Sequence, residues 1–179
     1  MPRPPDPGRR ARTLAGAADY VLEHGLSGLS LRPLAAALDT STRMLLYDFG
    51  GKERLVAEVL AEIRRREAAL LADHVPDGTP PEALLRDIWG WLSAPERAPF
   101  LRLFFEVYAD TLAHPDAYPP EVQGMVTDWL DRFAGELGDP VAATLALAVV
   151  RGLLLDRLAT GDAARTDEAL ARFAELLDR

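Results

Sequence analysis

Arg43 and Tyr47 stand four residues apart in TSTRMLLYDFGGKERL, the stretch from Thr40 to Leu55, and Lys52 follows them past a pair of glycines. Wound as a helix of about 3.6 residues per turn, this stretch puts Leu45 and Phe49 on one side and Arg43 with Tyr47 on the other. A guanidinium offers planar, paired N–H donors to a carboxylate, a phosphate or the O6/N7 edge of guanine. A phenol and an ammonium suit phosphates. The chemistry on offer is recognition of a planar, anionic surface. Bond-making chemistry has little to stand on. His24, His74 and His114 are isolated, no HExxH, GxSxG or glycine-rich phosphate loop occurs, and there is no cysteine. The expectation is a non-enzyme with no metal site and no cofactor.

Composition narrows the setting. The chain has 179 residues, 49% of them hydrophobic, enough to bury a core without staples. The lack of cysteine excludes disulfides and thiolate metal sites, and the lack of asparagine excludes N-glycosylation sequons. The proline-rich, basic opening MPRPPDPGRRAR has no apolar run behind it, so no secretory signal is expected. The most apolar segment, residues 141–155, contains Arg151 and falls short of the roughly 20 apolar residues of a membrane span. A cytoplasmic protein with no membrane partner is the simplest reading. Net charge is −8, but residues 1–66 carry 11 Arg or Lys against 8 Asp or Glu, and residues 67–179 carry 9 against 20. Those counts give +3 and −11, as expected of a small nucleic-acid-binding head on an acidic body.

The elements that must position Arg43 and Tyr47 read as helices throughout. No segment alternates like a strand, and there are only two isoleucines. The spacing predicts helices at 9–24, 31–38, 41–49 and 52–73, and then at 80–94, 99–113, 119–137, 140–160 and 166–178, about nine in all. Ser30 and Ser41 are expected N-caps, Asp39 and Thr40 a turn, and Gly25 and Gly50-Gly51 helix stops. VPDGTPP, residues 75–81, reads as a linker. The fold class is all-α. A three-helix head occupies 1–51, a connecting helix 52–74 and a larger bundle 75–179.

Two short helices joined by a tight turn and braced by a third form the helix-turn-helix arrangement, which lays its second helix in the major groove. Lys52, at the start of the next helix, is placed to hold a phosphate. It is the only lysine beside 19 arginines, a notable choice at that position. These features resemble the TetR-like transcriptional regulators, whose head signature LYxHFxxKexLl is matched by LLYDFGGKERL at Leu45–Leu55. The resemblance covers about residues 10–60. It implies DNA contacts at Arg32, Thr42, Arg43, Met44, Tyr47 and Lys52. Leu46 replaces the family's first tyrosine and Asp48 its usual histidine, which predicts a lost phosphate contact and less positive charge. With no asparagine and only Gln123 as glutamine, the head lacks the usual amide pairing to adenine. Guanine read by Arg43, in a two-fold operator, is therefore expected.

The resemblance also implies a homodimer formed by the last two helices, with Ala146, Val149, Val150, Leu153, Leu154 and Phe173 at the interface. VAATLALAVVRGLLLDRLA is apolar nearly all round, as a helix covered on every side would be. Arg151 within it must find an acid or a wet cavity. In this family the bundle encloses a site for a small organic effector, expected here at Phe104, Tyr108, Met125 and Trp129 and suited to an apolar or flat ligand. The whole reads as a ligand-responsive repressor of a double-stranded DNA operator. The alternative is a helical ligand-binding or adaptor protein whose head no longer grips DNA, a reading that Leu46, Asp48 and the acidic total permit.

Overall fold

The computed structural model describes residues 8–76, 78–114, 134, 135 and 137–177. Among them lie eight α-helices and no strand: α1 (Arg9–His24), α2 (Leu31–Ala37), α3 (Thr42–Phe49), α4 (Lys52–His74), α5 (Pro81–Leu92), α6 (Ala98–Ala113), α7 (Pro140–Thr160) and α8 (Ala163–Leu177). A single 3-10 turn, Pro95–Arg97, leads into α6. The helix expected at 119–137 falls almost wholly outside the described residues, as does residue 77 of the expected linker. No described helix is long and apolar enough to cross a membrane.

Local chemistry accounts for most helix ends. α2 closes in a Schellman arrangement: Thr40 N–H donates to Ala35 O at 2.9 Å and Asp39 N–H to Ala36 O at 3.3 Å. Asp39 takes the left-handed conformation that this closure needs, with φ 48°, a conformation aspartate tolerates better than most residues. Ser41 caps α3, its Oγ accepting from Met44 N–H at 3.2 Å. Gly50, at φ 76°, ends α3 within one residue. Ser30 occupies the N-cap of α2 with extended backbone, yet its side chain makes no cap bond. The reason is local: Pro33 stands at the third helical position and has no N–H to donate. α8 begins at Ala163, not at 166 as expected, because Asp162 serves as the cap, accepting from Arg165 N–H at 3.1 Å.

Packing follows from the stripes. α1 lies along α4, and α2 and α3 close over them, burying Val21, Leu34, Leu45, Phe49, Leu55 and Leu60 in one continuous core. Gly16 lets the end of α2 approach, since a Cβ there would stand 2.7 Å from Leu38 Cδ2. Arg66 of α4 fastens α1, reaching Asp19 Oδ1 at 2.7 Å and Ala15 O at 3.3 Å. Val75, which opens the expected linker, is fully buried. Beyond it α5 and α6 pack on α7, and α8 covers α5 and α7. Trp89 Nε1 and Arg157 Nη1 both donate to Asp167 Oδ1 at 2.8 Å, tying α5, α7 and α8 together.

On α7 and α8 the expected interface residues divide. Ala146, Val150 and Leu154 are buried in the protomer's own core, so they present no surface to a partner, and this part of the expectation is corrected. Val149, Leu153 and Phe173 are half-buried. The exposed stripe of α7 is instead Val141, Leu145, Ala148, Gly152 and Leu155. A helix apolar on every side carries no stripe to say which face meets its own chain, and only packing decided it.

Candidate nucleic-acid interface

α3 sorts its side chains as its spacing requires. Leu45 and Phe49 are buried, while Arg43 is exposed and Tyr47 is 80% exposed. Thr42 and Met44 at the start of the helix are half-buried. Arg32 is exposed on α2. Lys52 is exposed as the first residue of α4, where Gly51 supplies no side-chain cap. The first N–H donors of α4, and the positive end of its dipole, therefore stand beside the ammonium. Glu53 is the acid in that first turn. Arg54 folds back against Gly50, its Nη1 3.5 Å from where a Cβ on that glycine would lie. That puts a cation at the negative end of α3. All six expected DNA-facing positions are described.

Leu46 is 42% exposed and offers no polar contact where the resembled family carries its first tyrosine. Asp48 behaves otherwise. Its side chain is only 7% exposed and turns toward α1, where Arg9 Nη2 donates to Oδ1 at 2.7 Å. Arg10 continues the network: its Nε donates to Asp48 O at 3.0 Å, its Nη2 pairs with Glu58 of α4, and its guanidinium lies 4.7 Å from the Phe49 ring centroid. The end of α3 is thus clamped between α1 and α4, and the carboxylate that replaces histidine is spent inside the clamp. Sequence reasoning missed Arg9 and Arg10 because their partners lie 39, 38 and 48 residues away.

A second clamp holds the α1–α2 loop. Glu106 of α6 accepts from Leu26 N–H at 2.9 Å and from Ser27 N–H at 2.5 Å. Gly25, at φ 75°, turns the chain so that both donors face one carboxylate, and a Cβ there would stand 3.0 Å from Glu106 Oε2. The opposite face of α6 gives Phe100, Phe104 and Phe105 to a cavity shared with α5 and α7. One helix therefore touches both the loop that enters α2 and the wall of that cavity. Of the expected effector contacts, Phe104 lines the cavity. Tyr108 packs on Phe104 at a ring separation of 6.0 Å, while Met125 and Trp129 lie outside the described residues. Arg151, expected to need an acid or water, lies with its Cζ 5.8 Å from the Phe104 ring and 5.6 Å from that of Tyr108. His24 stacks on Tyr20 at 4.1 Å and His114 meets Asp110 at 3.0 Å, both helix-end contacts.

No family model matches the chain, and no curated protein does. Solved structures do. A TetR-family transcriptional regulator from Rhodococcus sp. superposes with a TM-score of 0.74 over 95% of this chain and 97% of its own, at 20% identity. The chain has the TetR-regulator fold. A transcriptional regulator, SCO7518 from Streptomyces coelicolor A3(2), matches with a TM-score of 0.71 at 24% identity, covering 94% and 99% of the two chains. The multidrug binding protein EbrR, complexed with proflavin, matches with a TM-score of 0.66 at 27% identity, covering 92% and 98%. In the TetR fold of this chain, α2 and α3 are the helix-turn-helix pair. These neighbours are described as regulators and a drug-binding protein, and none as an enzyme.

Proposed function

We propose that the chain is a transcriptional regulator that grips a two-fold DNA operator as a homodimer and is released by a small organic effector, which makes it a repressor. One observation carries the DNA-binding reading: α3 sinks its apolar side and leaves Arg43 and Tyr47 outward, while its one carboxylate, Asp48, is turned inward to Arg9. That placement removes the repulsion that favoured an adaptor with a non-functional head. In this reading Arg43 reads guanine, Tyr47 and Lys52 hold phosphates, and Arg32, Thr42 and Met44 flank them.

The dimer is proposed through the exposed apolar stripe of α7, which recurs at steps of four and three residues as a helix seam does, joined by Ala169 and Leu176 of α8. Effector action is proposed through α6. A ligand between Phe104 and α7 would shift that helix and, through Glu106, the loop that leads into α2. The experiment is DNA binding at about 50 and about 200 mM salt, where a protein with several phosphate contacts loses about 10³-fold or more in affinity. Lys52→Ala should weaken all sequences alike and flatten the salt slope by about one unit, while Arg43→Ala should relax the base preference. Selection from random duplexes should return guanine in each half-site. Half-sites of A and T alone would refute the role given to Arg43, and no binding at low salt would refute the regulator.

A further inference from the structure

Arg43 and Tyr47 belong to α3, whereas Lys52 opens α4, and the two helices are joined by Gly50 and Gly51 alone. Glycine restricts the backbone least of all residues, so this link holds the angle between the helices only weakly. Buried Leu45, Phe49 and Leu55 bring the two together, but apolar burial has no direction of its own. Arg10 supplies the direction. Reaching from α1, its Nε donates to Asp48 O, a carbonyl of the last turn of α3, at 3.0 Å. Its Nη2 donates to both carboxylate oxygens of Glu58 on α4, at 2.8 and 2.5 Å. Its Cζ lies 4.7 Å from the centroid of the Phe49 ring, itself only 2% exposed. One planar guanidinium thus fixes the end of α3 against α4, with its charge at the negative end of the α3 dipole.

By sequence Arg10 belongs to the basic opening of the chain, where a phosphate contact is the simple reading. Its partners point elsewhere, since Glu58 already matches its charge and Asp48 O takes its Nε. We propose that Arg10 is a positioning residue for the DNA grip: without touching the duplex, it sets the angle at which α3 presents Arg43 and Tyr47 relative to Lys52. The proposal rests on the regulator reading under Proposed function and adds the residue that keeps the two sets of contacts in register. Contacts made at the same moment from two helices require those helices to be held beforehand, because a loosened pair must be ordered again on binding.

The test is binding of the full chain to the duplex returned by selection from random sequences, at about 50 and about 200 mM salt. Arg10→Met should weaken binding by at least about fivefold and leave the salt slope unchanged, since no phosphate contact is lost. Arg10→Lys should weaken it nearly as much, because one ammonium cannot hold Asp48 O and Glu58 together. Glu58→Gln, which leaves Arg10 its charge, should also weaken binding, and the double variant with Arg10→Met should bind no worse than the poorer single one. An Arg10 that gripped phosphate would do the opposite: Glu58→Gln would tighten binding, Arg10→Lys would keep it, and Arg10→Met would flatten the slope by about one unit. Any of those three results overturns the proposal. So does unchanged affinity in folded variants, which is what a purely stabilising residue would give. If Arg10→Met does not fold by circular dichroism, the sign of the Glu58→Gln change still decides. A natural chain that binds no duplex at low salt sinks the regulator reading and this proposal with it, whereas a natural chain that binds, with variants that bind alike, sinks the role of Arg10 alone.

Discussion

Asp48→Asn separates two roles for the carboxylate that replaces histidine in α3. The Arg9–Asp48 pair is 2.7 Å long, with Arg9 39% and Asp48 7% exposed. It thus stands between an exposed pair, worth about 0–1 kcal/mol, and a buried one, whose breaking costs about 3–5 kcal/mol. Asparagine keeps an acceptor for Arg9 but removes the charge, so a loss of about 1 kcal/mol is expected. In a chain of this length that lowers the melting temperature by roughly 2–4 °C. Operator affinity should move by less than about threefold, because the lost charge faces α1 and was already neutralised. A carboxylate facing the duplex would behave in the opposite way, tightening binding and steepening the salt slope by about one unit when removed. Thermal melts and salt-dependent DNA titrations of the two proteins measure both quantities. An unchanged melting temperature together with a gain of about tenfold in affinity would refute the clamp reasoning.

Glu106→Ala should speed amide exchange at Leu26 and Ser27, read by NMR, and lower stability by about 1–2 kcal/mol, since the two donors are half-buried and exposed. Unchanged exchange at those amides would remove Glu106 from the proposed coupling. Glu62 is held down to about 2 from 4.5 by the hydrogen bonds of Arg65 and then Arg66. The unfolded chain therefore takes up the proton first, and the stabilisation by Glu62, complete above about pH 5, is lost as pH falls through that window. Glu62→Gln should narrow its stability gap to the natural chain as acid is added, and a gap that stays constant from neutrality to about pH 2 contradicts the pairing. Leu145→Glu puts a charge in the exposed stripe of α7 and should yield monomers in sedimentation at concentrations where the natural chain is dimeric. A natural chain that is itself monomeric at about 10 µM would end the dimer proposal.

The sequence by itself determined the helices of the described residues, the start of α8 excepted, and the outward face of one of them. The apolar spacing of residues 42–49, the serine before them and the glycines after them act within a single turn or two, so Leu45 and Phe49 had to go inward and Arg43 and Tyr47 outward. The expected Ser30 cap did not form, because Pro33, three residues on, has no N–H to give it. What only the tertiary structure decided lies between residues far apart in the chain. Asp48 read as a liability until Arg9 was found beside it, 39 residues away, and Glu106 gave no sign of its hold on Leu26 and Ser27, some 80 residues back. α7 is apolar on all sides, and its amino acids did not say that Val150 would fill the protomer's core while Leu145 stayed outside. Caps and periodicity are written in neighbouring residues. Ion pairs and the choice of buried face are set when separate helices compete for the same space, and that competition is settled only by packing.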